Sequence, residues 1–322
     1  MKHALKMTAL AVFAASFGVS AMAADKASTT GGFKIKSEDG NFEAKIGGRI
    51  HFDMNYYTNE DDINTTAQNS KNDFFFRRTR LTATGRAYDF KYVIDLGFEN
   101  SSGGGEVKNN QFFRDVTIGK TVLGNVNARI GQSKPYRGME ELTSSNEILF
   151  MERPLATATG IYGTQRTLGV FLDGSGEGYG WGVSAYSPRE AKDENASGSG
   201  VNARGFIVPL RKNGNLVHLG LSASADRYDT RTVNIGPRIV GREGGLRSGS
   251  IITKDAYNEQ DTIALEMAAR FGALTMQGEY AAASFSDNRG ALPITTPPTT
   301  TPVLGQPDQD VDTYYVQASY FL

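Results

Sequence analysis

The densest chemistry in the sequence is a run of arginines. Arg77, Arg78 and Arg80 fall within four positions, directly after Phe74, Phe75 and Phe76. A guanidinium keeps its charge in any protein setting and presents a fixed fork of donors that matches an oxyanion. In an alternating strand Arg78 and Arg80 share a face with Thr82 and Thr84, whereas Arg77 lies on the opposite face unless a β-bulge re-aims it. On a pore wall such a cluster attracts anions; at a membrane rim the same residues meet lipid headgroups instead. A second basic group comprises Arg227, Arg231, Arg238, Arg242 and Arg247, with few acids between them. It reads either as a funnel that focuses anions toward an entrance or as solvated loop charge.

Other chemistries find little support. Nucleophilic hydrolysis would want Ser or Cys beside His and a carboxylate. The sequence has no Cys, and past the N-terminal region its only histidines are His51 and His218, each alone in its segment. The same sparseness argues against a metal site or any cofactor. Gly119-Lys120-Thr121 has the end of a phosphate-loop motif, but Arg114 stands where that motif requires its first glycine. A structural or adhesive barrel would fill its interior, whereas the polar faces here contain many small Gly, Ser and Ala positions.

The arginines need a wall to stand on, and strict alternation supplies it. From Ala44 to Tyr56, residues Ile46, Ile50, Phe52, Met54 and Tyr56 oppose Lys45, Arg49, His51, Asp53 and Asn55. Period two of this kind means a strand with one apolar and one polar face. The pattern returns over 90–99, 125–133, 216–226 and 261–271. Weaker versions cover 74–86, 111–120, 164–173, 178–186, 200–208, 273–284 and 311–322, for about twelve strands. Between them, short connections such as 87–89, 121–124 and 174–177 alternate with long ones such as 57–73, 134–163 and 227–260. Short turns on one rim and long loops on the other is the plan of an all-β transmembrane antiparallel barrel. A soluble β-sandwich shares the alternation but needs no such rhythm. In lipid every backbone amide must find a partner, and for strands only a closed barrel provides that. The apolar faces then meet lipid, and Arg49, Asp53, Lys91, Asp95 and Arg129 point into a wet lumen.

The N-terminus places the chain outside the inner membrane. Lys2, His3 and Lys6 precede the apolar run 7–19, and Ala21-Met22-Ala23 offers small residues for a cut. That layout is a secretory signal over 1–23, too short in its apolar part for a spanning helix, which needs ~20 residues. A periplasmic segment over 24–43 and a barrel over 44–322 follow. The formal net charge of −1 favours no particular partner, nucleic acid included.

The segment 134–163 is too long for an exposed tip, and loops of this length are uncommon unless they function. It contains Tyr136-Arg137-Gly138-Met139-Glu140-Glu141 and, later, Glu152-Arg153-Pro154. Its place after the fifth alternating strand resembles that of the inward constriction loop of general porins; the alternative is an outward lid.

Several short stretches, collinear over most of the chain, carry a closer resemblance. They are Phe76-Arg77-Arg78-Thr79, Lys91-Tyr92, Leu142-Thr143-Ser144-Ser145, Glu152-Arg153, Asn202-Ala203-Arg204-Gly205, the run 214–221, and Asp229-Thr230-Arg231. The chain resembles the phosphate-selective porins of the porin O and P type. That resemblance implies a sixteen-stranded outer-membrane barrel, a homotrimer, and arginines leading to a central phosphate site. Carried over by position, Arg77 and Arg78 match the central arginine pair. Ser144 and Ser145 match the serines of the inward loop, Arg153 matches its arginine, and Arg231, Arg238 and Arg242 match the entrance ladder. Arg49 and Lys134 join the expected anion-binding set as lumen cations, with Arg80.

The sequence also departs from the family pattern: Arg80, Arg114 and Lys134 add positive charge near the expected constriction, and Glu141 subtracts it. The expected solutes are small inorganic anions such as phosphate, with a weakly selective general-diffusion porin as the alternative, and the expected surroundings are outer-membrane lipid. With about twelve strands where the resemblance implies sixteen, the reading is of a chain cut short at its C-terminus, against a complete twelve-stranded barrel.

Overall fold

The computed structural model describes residues 26–28, 33–56, 73–98, 113–154, 157, 160–163, 165–188, 198–229, 257–287 and 307–321. Fourteen strands form one antiparallel sheet in which every strand pairs with its neighbours in sequence. They are β1 (Lys26–Ser28), β2 (Phe33–Lys36), β3 (Phe42–Asn55), β4 (Asp73–Ala87), β5 (Phe90–Gly97), β6 (Phe113–Leu123) and β7 (Val126–Ser133). After a long connection come β8 (Thr167–Gly176), β9 (Tyr179–Ser187), β10 (Gly198–Lys212), β11 (Asn215–Tyr228), β12 (Glu259–Phe271), β13 (Leu274–Ser286) and β14 (Gln309–Tyr320). All twelve alternating segments are strands. The count rises to fourteen because β1 and β2, of three and four residues, lie in the stretch expected as a separate periplasmic segment. Runs that short do not establish a period.

The sheet is apolar outside and polar inside. On β12, Ile263 and Leu265 are 58% and 54% exposed while the intervening Glu266 is only 5% exposed. The same inversion holds on β3, where Ile50, Phe52 and Met54 face outward. A soluble sheet could not leave such an array in water; a hydrocarbon layer makes it favourable. No helix among the described residues is long and apolar enough to cross a membrane. Tight turns join alternate pairs, as at Tyr88-Asp89 and Asn213-Gly214. Tyr88 and Asn213 adopt positive φ (53° and 52°), and Gly214 beside Asn213 does so at 80°.

The register shifts at four strand pairs among the described residues, and two of these irregularities adjoin the same space. Across β3 and β4, His51 pairs with Arg78 and Phe52 with Phe76, leaving Arg77 as the extra residue. Across β5 and β6, Ile94 pairs with Val116 and Leu96 with Phe113, so Arg114 and Asp115 together oppose Asp95. An extra residue lets two consecutive side chains point to one side.

The connection between β7 and β8 lies within the curve of the sheet. Its contacts reach β3 and β4 through Arg49 and Arg77, β6 through Asp115, and β11 and β13 through Asp226 and Glu279. Contacts on so many sides require that the sheet wrap around it. One helical turn, Met139–Leu142, forms near its start. A small apolar core sits where Ile161 and Tyr162 rest against Ala264, Ala281, Ala283 and Phe285 of β12 and β13. The alanines on this wall leave the room that the connection fills.

Candidate functional site

The bulge on β4 decides which arginines meet. Phe76 and Leu81 face outward, yet Arg77 and Arg78 are each only 7% exposed and both line one cavity with Arg80. Regular alternation would have sent Arg77 to the lipid face; the extra residue turns it inward. The cavity measures about 620 Å³. Its wall side comes from Arg49 on β3, the three β4 arginines, Asp95, Arg114, Asp115 and Arg129. Its other side comes from the connection, with Lys134, Ser144, Ser145, Glu152, Arg153 and Arg166.

All eight residues expected from the sequence to bind anions border this one space: Arg49, Arg77, Arg78, Arg80, Lys134, Ser144, Ser145 and Arg153. Arg231, Arg238 and Arg242 lie outside the described residues. Sequence reasoning missed Arg166 and Thr157, and had noted Arg114 and Arg129 only as a departure and as a lumen residue. Arg166 was read into a strand starting at residue 164, whereas β8 starts at Thr167. No local motif announces it. Nine cations thus border the cavity against three carboxylates, Asp95, Asp115 and Glu152.

The carboxylates engage particular cations. Arg77 donates from Nε to Glu152 Oε1 at 2.8 Å and from Nη2 to Oε2 at 2.6 Å. Asp95 lies 3.8 Å from Arg80 and accepts from Thr82 at 3.2 Å. Arg166 Nη2 donates to Asp115 at 3.1 Å. Arg49 Nη1 donates to Asn146 Oδ1 at 2.8 Å and to Ser144 Oγ at 3.3 Å, tying β3 to the connection. Arg153 Nη2 donates to the Thr143 carbonyl at 2.7 Å, which fixes it beside the serines. Lys134 donates to the Glu141 carbonyl, and its Nζ lies 3.6 Å from the Glu141 carboxylate. Burial pushes the Lys134 amine down to about 8 against the pull of Glu141, with Arg166 and Arg153 adding to the depression.

Three buried polar atoms on the cavity lining have no hydrogen-bond partner among the described residues: Ser145 Oγ, Thr157 Oγ1 and Arg166 Nε. A buried polar atom left without a partner is costly, and all three of these residues border the open space of the cavity.

The opposite wall has the complementary charge. Asp226 on β11 is fully buried and accepts from Arg137 Nη2 at 2.9 and 2.8 Å, with Tyr186 donating to the same carboxylate at 2.7 Å. Glu279 on β13 accepts from the backbone N–H groups of Met139 and Glu140 at 2.5 and 3.0 Å, capping the helical turn. Tyr136 N donates to Asn202 at 3.1 Å, and the Tyr136 ring lies against Gly182, where a Cβ would come within 2.5 Å of it. Wall carboxylates therefore hold the connection to one half of the lumen. The arginine half stays open.

A second cavity of about 520 Å³ shares Arg129, Tyr136 and Leu142 with the first. Lys91, Lys120 and Arg204 continue its basic lining toward the short-turn rim. Arg129 stands at the junction, 3.3 Å from Asp173 and over the rings of Tyr136 and Phe171. Basic groups thus line both spaces in succession.

Residues 44–322 match the family model described as phosphate-selective porin O and P. The chain is also 28% identical over 275 residues to Porin O of Pseudomonas aeruginosa. That alignment covers 79% of this chain and 61% of the relative's length.

Proposed function

The chain belongs to the phosphate-selective porin O and P family, and from that premise we propose that it forms a water-filled, anion-selective channel in the bacterial outer membrane. The solutes are phosphate or related small anions. The observation that carries this reading is the cavity with nine cations against three carboxylates on the open half of the lumen. In a narrow space of reduced dielectric, fixed guanidinium groups hold anions more strongly than exposed ones and exclude cations. Conduction also needs release, which several spaced basic groups allow better than one deep site. The two cavities offer that succession through Arg129 to Lys120 and Lys91.

Within this reading Arg77, Arg78, Arg80 and Arg153 hold the anion by charge, with Arg49 and Lys134 adding to the field. The hydroxyls of Ser144 and Ser145 offer neutral donors. Residues 134–163 act as the inward constriction, residues 1–23 as a cleaved export signal, and the channel assembles as a homotrimer in outer-membrane lipid. Arg231, Arg238 and Arg242 form the entrance funnel. Planar-bilayer recordings test the reading. Reversal potentials across a KCl gradient should show anion preference, and added phosphate should reduce chloride conductance to a saturating floor. Cation preference, or conductance blind to phosphate, would overturn it. N-terminal sequencing of the outer-membrane protein should begin at or near Ala24.

A further inference from the structure

The Arg77–Glu152 contact presents a contradiction in a cavity built to be positive. The guanidinium that the bulge turns inward is already matched by a carboxylate, through both Nε and Nη2, in the two-point geometry an oxyanion would use. The two partners are unequally placed. The Arg77 side chain is 8% exposed and fixed in the wall, whereas the Glu152 side chain is 46% exposed and comes from the connection. Glu152 borders the same cavity as Arg78, Ser145 and Arg153. Its backbone neighbour Arg153 is tied to the Thr143 carbonyl, so the main chain at this point is held while the Glu152 carboxylate reaches into open space.

A carboxylate so exposed is not needed to satisfy a dry ion pair. Pairs open to water contribute little to stability, so folding alone does not explain why it is there. Its chemistry is that of a permeating oxyanion tethered at the site.

We propose that Glu152 is an intramolecular competitor for the permeating anion at Arg77, and that it determines the affinity and residence time of oxyanions in the channel. The inference rests on the reading of the cavity as an anion passage. When an oxyanion arrives, it takes the two donors of Arg77 and the Glu152 carboxylate rotates into the cavity. The nearby carboxylate then repels the bound anion and reclaims Arg77 as it leaves. Without this exchange a cavity with so many cations would trap a multiply charged anion. The competitor favours ligands that form two strong bonds, such as phosphate, over chloride, which cannot bridge both donors.

The experiment uses the protein as it assembles in the outer membrane, reconstituted in planar bilayers, with inorganic phosphate titrated against KCl. Glu152→Gln should lower the half-saturating phosphate concentration by about tenfold and lengthen the dwell of each blocking event, since a neutral amide competes poorly for a guanidinium. Glu152→Asp, which keeps the charge on a shorter arm, should fall between. In an Arg77→Ala background the same Glu152→Gln change should shift half-saturation less than twofold, because its target is gone. A half-saturation that is unchanged or raised in Glu152→Gln overturns the proposal, as does an equal shift in the Arg77→Ala background. A wild-type channel without anion preference or phosphate saturation overturns the functional reading itself. A saturating wild type with an unresponsive Glu152→Gln overturns only the competitor.

Discussion

The Lys134 ammonium lies 3.6 Å from the Glu141 carboxylate, within one connection and beside the arginine-lined cavity. Read from the sequence by resemblance, each residue is a separate departure from the family pattern, one adding charge and the other removing it; the structure makes them a local pair. Burial pushes the Lys134 amine down to about 8, more than Glu141 restores. The amine is therefore protonated at pH 7 and largely neutral at pH 9, and raising the pH removes one cation from the cavity margin. Anion preference, read from the reversal potential in a KCl gradient, should fall through this window. Lys134→Arg should abolish the step, because a guanidinium does not titrate there.

Asp226 fixes Arg137, and with it the connection, to the acidic half of the lumen. Removing one partner of a buried ion pair costs about 3–5 kcal/mol, since the other charge is left unmatched. Asp226→Asn should loosen the connection while the outer wall, held by its own backbone ladder, remains. Single-channel conductance in KCl should rise and anion preference should fall. A cysteine introduced by Ser144→Cys should react faster with a small charged thiol reagent in the Asp226→Asn background. Equal reaction rates in both backgrounds would detach the connection's position from this pair.

Asp95 lies 3.8 Å from Arg80, and both side chains are largely buried. Asp95→Asn keeps the shape and the bond from Thr82 while removing a carboxylate from the lining. The anion-to-cation permeability ratio should rise. A fall would mean that Asp95 acts chiefly by holding Arg80 in place.

The wall was legible because lipid and lumen impose opposite demands on alternate residues, as Ile263, Leu265 and Glu266 show on β12. The gathering of the eight expected side chains was legible only partly from alternation; the serines and Arg153 came through family resemblance. What the sequence hid is three-dimensional. Nothing in Phe76-Arg77-Arg78 marks the extra residue that turns Arg77 inward, because the bulge depends on the register of β3 against β4. The partner of Arg77 is 75 positions away in a connection whose course no local period describes. Arg166 escaped notice for the same reason, since its distance to Asp115 depends on how β8 begins. The four-residue β2 alternates, but four residues do not establish a period.

The arginines of β4 provide the sharpest test of selectivity. Arg78 and Arg80 face the lumen by plain alternation, on either side of outward Thr79, so their direction does not depend on the bulge. Arg78 Nη1 lies 3.2 Å from His51 Nδ1 and Arg80 beside Asp95, which fixes both guanidinium groups against the wall. Arg153 faces them from the connection across the cavity. A charge-assisted hydrogen bond contributes about 1.5–3 kcal/mol, and each 1.4 kcal/mol is tenfold in affinity. The Arg78→Ala, Arg80→Ala double variant should therefore raise half-saturating phosphate by at least about tenfold and lose much of the anion preference, while still forming a channel. Arg77→Ala should act differently. It removes the two donors that an arriving oxyanion would take from Glu152, so it weakens phosphate binding by lost attraction. Combining Arg77→Ala with Glu152→Gln should change that loss by less than about twofold, because the carboxylate no longer has a guanidinium to compete for. If the β4 double variant keeps the wild-type reversal potential, these arginines are not the filter, and general diffusion through a charged but unselective lumen becomes the better account.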